Sequence, residues 1–201
     1  CAPLLISSCA EVAITNRKQL SFVSEDRINK QAVKAYETIK QNENLIKSGS
    51  EFRALNEVGK RVTGSVEQYF KNMGQLDTLK DYNWEFILID DKETLNAWCM
   101  PGGKIAFYTG ILDVTANTDG LASVMGHEIA HAVAKHSLER ASQALAINVG
   151  TTILDIALEG ALSSSSADDY LVSLGLSLPF NRLQESCLLY TSPSPRDFVR
   201  S

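Results

Sequence analysis

Met125-Gly126-His127-Glu128-Ile129-Ala130-His131-Ala132-Val133 sets an H-E-x-x-H pattern inside an apolar run. Read as a helix, it puts two histidines four residues apart on one face, with Cβ atoms about 5–6 Å apart. Both imidazoles can then reach one ion at about 2.0–2.1 Å. Water at such an ion acidifies to a pKa of about 7, so hydroxide is available at neutral pH. Glu128 follows the first histidine directly, where this pattern uses a carboxylate as general base. The setting suits a helix: Asn117 or Thr118 can start it, Asp119 favours its first turn, and Gly126 leaves room for close backbone packing. The helix is expected to run to about Arg140. If it is straight, His136 lies roughly 180° around from His127 and roughly 140° from His131. His136 would then fall on the Met125/Ile129/Ala132 stripe, as a hydrogen-bonded structural histidine and not a ligand.

Working outward, Ser24 can cap a helix with Glu25 and Asp26 in its first turn, running to about Glu43, with Ile28, Ala32, Tyr36 and Ile39 at helical spacing. Glu51 to Met73 reads as a second amphipathic helix on the stripe Leu55, Val58, Val62, Val66 and Phe70, stopped by Gly74. Trp84 to Ile89 is a short run of strand formers. Asn96–Met100 and Lys104–Tyr108 flank Pro101-Gly102-Gly103, which predicts a hairpin. Ala141 to Leu162 is Ala-rich and reads as a helix packed on the core. Ser163–Ser166 is a loop, and Asp168 to Leu178 can be helical.

The chain has 201 residues, 44% hydrophobic and 21% charged, with a net charge of -5 and a pI of about 5.2. That length suffices for one domain with a core. The acidic balance argues against a nucleic-acid partner. No apolar run reaches the roughly 18 residues of a membrane span. The first residue is Cys1, so the reading frame is expected to start upstream. Ile6-Ser7-Ser8-Cys9 resembles a bacterial lipobox, which would make residues 1–8 a signal-peptide remnant and Cys9 a lipidated N-terminus. Cys99 is expected to be a small buried hydrophobe, and no disulfide pair or Cys-x-x-Cys metal site is foreseen. From Cys187 to Ser201 the composition changes abruptly, to Tyr190-Thr191-Ser192-Pro193-Ser194-Pro195-Arg196. This stretch resembles a translated sequencing adapter and is expected to be a non-native tail.

Two histidines need a third protein ligand. The acidic candidates downstream are Glu139, Asp155, Glu159, Asp168, Asp169 and Glu185. Glu139 lies on the same helix and points away from the ion, and spacing does not choose among the others. Three segments are similar to the HtpX and CAAX-prenyl-protease family of zinc metalloproteases (peptidase family M48), especially its bacterial lipoprotein members. They are Asn96-Ala97-Trp98-Cys99-Met100-Pro101-Gly102-Gly103-Lys104-Ile105, Gly126–His131 with His136 after it, and Leu178-Pro179-Phe180-Asn181-Arg182-Leu183-Gln184-Glu185. Asn16-Arg17-Lys18-Gln19-Leu20 adds to the likeness, which covers residues 9 to about 186. The resemblance implies Glu185 as third zinc ligand. It also implies that Asn96 and Ala97 lie beside the cleft, where a substrate backbone adds as a strand. After Glu185 the family has Glu-Ala-Asp one residue on, whereas this chain has Cys187, Leu188 and Leu189. The supporting aspartate is therefore missing.

The expected fold is α+β and zincin-like: helices around a small, mainly antiparallel sheet, with a metalloprotease domain over residues 9–186. The expected activity is a zinc metalloendopeptidase with one Zn2+ per chain, held by His127, His131 and Glu185, and Glu128 moving the proton. Its expected setting is the bacterial envelope, as a periplasm-facing lipoprotein anchored at Cys9 and acting on misfolded or membrane-associated proteins. The alternative is a lipoprotein chaperone or scaffold whose zinc site is structural or inactive. A further rival is a membrane-surface adaptor built on residues 141–162.

Overall fold

The computed structural model describes residues 24–142 and, as backbone alone, residues 9–11 and 18–20. Strands β1 (Cys9–Glu11) and β2 (Lys18–Leu20) pair antiparallel, with Cys9 opposite Leu20. Helix α1 (Glu25–Asn42) starts at Ser24, whose side chain accepts the Arg27 N–H, and buries Ile28, Ala32 and Tyr36. After the two-residue strand β3 (Leu45–Ile46), helix α2 (Ser50–Asn72) buries the stripe Leu55, Val58, Val62, Val66 and Phe70. It ends where Gly74, at φ 69°, turns left-handed and the Gln75 N–H closes on the Phe70 carbonyl.

Three more strands follow: β4 (Glu85–Ile89), β5 (Ala97–Met100) and β6 (Lys104–Tyr108). The sheet order is β3-β4-β6-β5. The expected hairpin joins β5 to β6, Met100 facing Lys104 across the Pro101-Gly102-Gly103 turn, and Gly102 and Gly103 both have positive φ. A side chain on Gly103 would strike the Trp84 ring. The β3–β4 and β5–β6 pairings are antiparallel, while β4–β6 is parallel. The chain therefore passes β6's place, lays β5 outside it, and returns to fill the gap.

Alternation gives the sheet two apolar faces. Leu88, Ala97, Cys99, Ile105 and Phe107 join the core beneath α2, and Ile87, Ile89, Met100 and Ala106 pack with Ala32 and Tyr36 of α1. Helix α3 (Thr109–Thr115) leads into α4 (Thr118–Val133), which packs against α2 and β5. Its residues Leu121, Met125, Ile129, Ala132 and Val133 belong to the α2-side core. The result is α1 on one face and α2 with α4 on the other. A second helical stretch begins at His136, and helical residues continue to the end of the described region. The expected helices after residue 142, and the suspected tail, lie outside the described residues. Among the described residues, no helix is long and apolar enough to cross a membrane.

A polar cluster ties α1 to the sheet. Lys104, only 4% exposed, donates to Glu85 Oε2 (3.2 Å) and to the Asn83 carbonyl (3.0 Å), while Lys40 reaches Glu85 Oε1 at 2.7 Å. Tyr36 donates its hydroxyl proton to the Ile105 carbonyl at 3.2 Å. Burial opposes the charge on Glu85, but hydrogen bonds from Lys40 and Lys104 outweigh it and hold the carboxyl below its ordinary 4.5. A folded-state pKa below the unfolded one means the unfolded chain binds more protons in between. The stability from this cluster is therefore complete above pH 4.5 and is lost as pH falls through the lower folded value. Glu85→Gln is expected to cost about 1 kcal/mol at pH 7, reduced from a fully buried value by the partial exposure of Glu85. In urea unfolding, the gap between variant and wild type should narrow progressively as pH falls below 4.5; a gap of constant size would rule the linkage out.

Candidate metal centre

The H-E-x-x-H segment occupies the last turns of α4. Asn117 caps this helix, its side chain accepting the N–H groups of Asp119 and Gly120 at 3.0 Å each. Gly120 lies so close to the Thr115 carbonyl that a Cβ there would collide with it. The helix is thus pinned at its start, and Met125 and Ile129 sink one side into the core.

On this support the rings of His127 and His131 stand edge to face, with centroids 4.6 Å apart and planes at 83°. Their Nε2 atoms face each other at 3.1 Å. Two imidazoles binding one tetrahedral ion at 2.0–2.1 Å need Nε2 atoms about 3.3 Å apart. The pair therefore matches that spacing to within a few tenths of an ångström and could hold such a metal. His131 is 1% exposed, and burial, followed by the neighbouring His127, His136 and Arg140, pushes it down to about 2. It is neutral at physiological pH, the form that ligates a metal.

Glu128 is half-buried beside the pair. Burial, and then the charge of Glu128, push the Cys99 thiol well above its ordinary range. Cys99 is free, buried and neutral, as expected of a packing residue. Burial lowers Arg140 to about 10, while the nearby carboxylates of Glu128 and Glu139 pull it back up.

The expected straight helix to Arg140 is not what forms. Helix α4 stops at Val133, and Lys135 takes a left-handed conformation at φ 58° before the chain becomes helical again. Tyr82 donates its hydroxyl proton to the Ala132 carbonyl at 2.9 Å, and Lys135 forms an ion pair with Glu25 at 2.7 Å. The break swings His136 away from the Met125/Ile129 stripe. Its Nδ1 lies 2.8 Å from Nδ1 of His131, and both rings are 1% exposed. His136 is indeed a hydrogen-bonded histidine, but its partner is a residue of the site itself. No glycine or proline marks the break, so sequence offered no signal for it.

Asn96 and Ala97, expected beside a substrate cleft, lie at the start of β5. Among the described residues β5 is one of the two terminal strands of its sheet, and it packs against α4. The Tyr108 N–H bonds to the Asn96 carbonyl at 3.1 Å, so Asn96, Trp98 and Met100 turn their backbone polar groups inward to β6. Ala97 and Cys99 turn theirs outward, and the Asn96 side chain accepts the outward Ala97 N–H at 2.9 Å. Among the described residues, no group of three or more His, Cys, Asp or Glu side chains converges as a metal site. The expected third ligand, Glu185, lies outside the described residues.

The chain is 31% identical over 182 residues to the mitochondrial metalloendopeptidase OMA1 of Schizosaccharomyces pombe, covering 87% of this chain and 48% of that protein. It is 31% identical over 123 residues to the OMA1 of Saccharomyces cerevisiae, covering 60% of this chain and 34% of that one. With the Arabidopsis thaliana OMA1 it shares 34% identity over 107 residues, 53% of this chain and 21% of that one. The chain thus spans about half the length, or less, of these curated relatives. No solved structure matches. The relatives correct the expected bacterial-envelope location, since all three are mitochondrial proteins of eukaryotes. The lipid anchor at Cys9 is a separate expectation, which the relatives' names do not show. The family model named Peptidase family M48 matches residues 60–192, from within α2 through the H-E-x-x-H helix and beyond Glu185, and the chain belongs to that family.

Proposed function

We propose that this chain carries the catalytic core of a zinc-dependent metalloendopeptidase acting on peptides or proteins. In this reading His127, His131 and Glu185 hold one zinc ion, and Glu128 is the general base. The observation that carries it is the 3.1 Å approach of the two Nε2 atoms on a helix pinned at both ends, with Glu128 next to the first ligand. Family membership and the metalloendopeptidase relatives support the same reaction class.

When bound, zinc would supply Lewis acidity, acidifying water and polarising the scissile carbonyl. The remaining work falls to the protein. Glu128 takes a proton from the attacking water and returns it to the leaving amine. Burial keeps His131 neutral, so its lone pair stays available at neutral pH. Among the described strands β5 has β6 alone as partner, and it presents outward N–H and C=O groups at Ala97 and Cys99, to which a substrate backbone can add as a further strand. The Asn96 side chain would give up the Ala97 N–H as the substrate arrives.

In the full-length protein, Glu128→Gln is expected to lower kcat for peptide cleavage by about 10²–10⁴ while zinc content stays at one per chain. Undiminished cleavage would remove Glu128 as base, and zinc without any cleavage in the wild type would favour a structural-zinc scaffold. Glu185→Ala should lower zinc occupancy, and full occupancy would remove Glu185 from the ligand set. Ala97→Pro deletes one outward N–H without touching the β6 ladder. It should raise KM about tenfold with a smaller change in kcat, the cost of one backbone hydrogen bond. An unchanged KM would argue against strand addition at this edge.

A further inference from the structure

A metal-binding histidine has two ring nitrogens, and the one away from the metal decides which way the ring faces. If His131 uses Nε2 as a ligand, its proton must sit on Nδ1, because a neutral imidazole carries only one. That Nδ1–H points at His136 Nδ1, 2.8 Å away, with ring centroids 5.0 Å apart and planes at 62°. His136 must then accept through Nδ1 and carry its own proton on Nε2. The tautomers of both rings follow from one contact.

We propose that His136 is the positioning residue for His131, and that the break after α4 exists to deliver it. The proposal rests on the zinc reading above. On an unbroken helix His136 would lie roughly 140° around from His131 and out of its reach. The left-handed Lys135, at φ 58°, removes that obstacle. Such a conformation disfavours a lysine, so the surroundings have to hold it. They do so from three sides. Tyr82 of the loop before β4 ties down the Ala132 carbonyl, Glu25 of α1 takes the Lys135 ammonium, and the Lys135 N–H closes on the Ala132 carbonyl at 3.0 Å. The chain then becomes helical again, the Glu139 N–H bonding back to the Lys135 carbonyl at 3.0 Å. The first residue of that second stretch is His136 itself. Ligating histidines commonly give their second N–H to a carboxylate or a carbonyl, and losing that acceptor typically costs 10–100-fold in metal affinity or activity. Here the acceptor is another imidazole, buried with its partner.

Zinc affinity of the full chain, measured by competition with a chromophoric chelator, tests this without recourse to activity. His136→Ala should weaken zinc binding 10–100-fold, with the far-ultraviolet circular dichroism of the metal-free protein unchanged. His136→Asn should recover most of the loss, because Asn Oδ1 can accept at the place of Nδ1. Lys135→Gly should keep wild-type affinity, since glycine accepts the left-handed turn. Lys135→Val loses the same ion pair as Lys135→Gly but also opposes the turn, and should bind zinc more weakly. This second pair carries the test if His136→Ala does not fold. Wild-type affinity in His136→Ala, or equal affinity in Lys135→Val and Lys135→Gly, would overturn the positioning role. A wild-type chain that binds no zinc would overturn the zinc reading instead.

Discussion

Two imidazole nitrogens must be held about 3.3 Å apart, and their geometry tolerates little slack. A helix supplies that spacing for residues four apart, provided it neither slides nor turns about its axis. Much of the fold around α4 serves to prevent both. Asn117 satisfies its first free N–H groups, and Gly120 seats it against Thr115. Met125 and Ile129 lock one side into the core shared with α2 and the sheet. Tyr82 holds the carbonyl of Ala132 just after the second histidine. The 3.1 Å approach of His127 and His131 is what these constraints produce together.

The sheet has a matching role. Its order places β5 outermost among the described strands, beside α4, so the edge with spare hydrogen-bonding groups and the helix with the histidines share one side of the molecule. The parallel β4–β6 pairing is what creates that edge. Had β5 paired with β4 and β6 lain outside, the hairpin's other strand would face α4. On the opposite face, Lys40, Lys104, Glu85 and Tyr36 clamp α1 to the sheet and so fix the strands that β5 leans on.

Sequence periodicity was a good guide where long elements expose one apolar stripe. Ile28, Ala32 and Tyr36, and Leu55 through Phe70, are buried as their spacing implies, and Ser24, Asn117 and Gly74 act at the helix ends expected of them. Pro101-Gly102-Gly103 marked the hairpin because only such residues make that turn easily. Short elements carry no such signal. The two residues of β3 and the seven of α3 are too few to show a period, and no local pattern reveals that β6 pairs parallel with β4. The break at Lys135 was invisible for a different reason. Its left-handed turn is held by Tyr82 and Glu25, both distant in sequence, while Ala134-Lys135 is locally ordinary helix sequence. His136 was therefore placed on the wrong face, although its hydrogen-bonded character was right. The choice of Glu185 from among several downstream carboxylates rests on family resemblance, because a long spacing in sequence says nothing about proximity.

X-ray absorption at the zinc edge of the zinc-loaded full chain tests the central claim most directly. Zinc held by His127, His131 and Glu185 should show a first shell of nitrogen and oxygen at about 2.0–2.1 Å, with the outer-shell scattering of two imidazole rings and no sulfur. A sulfur shell near 2.3 Å, or a spectrum lacking imidazole scattering, would contradict it.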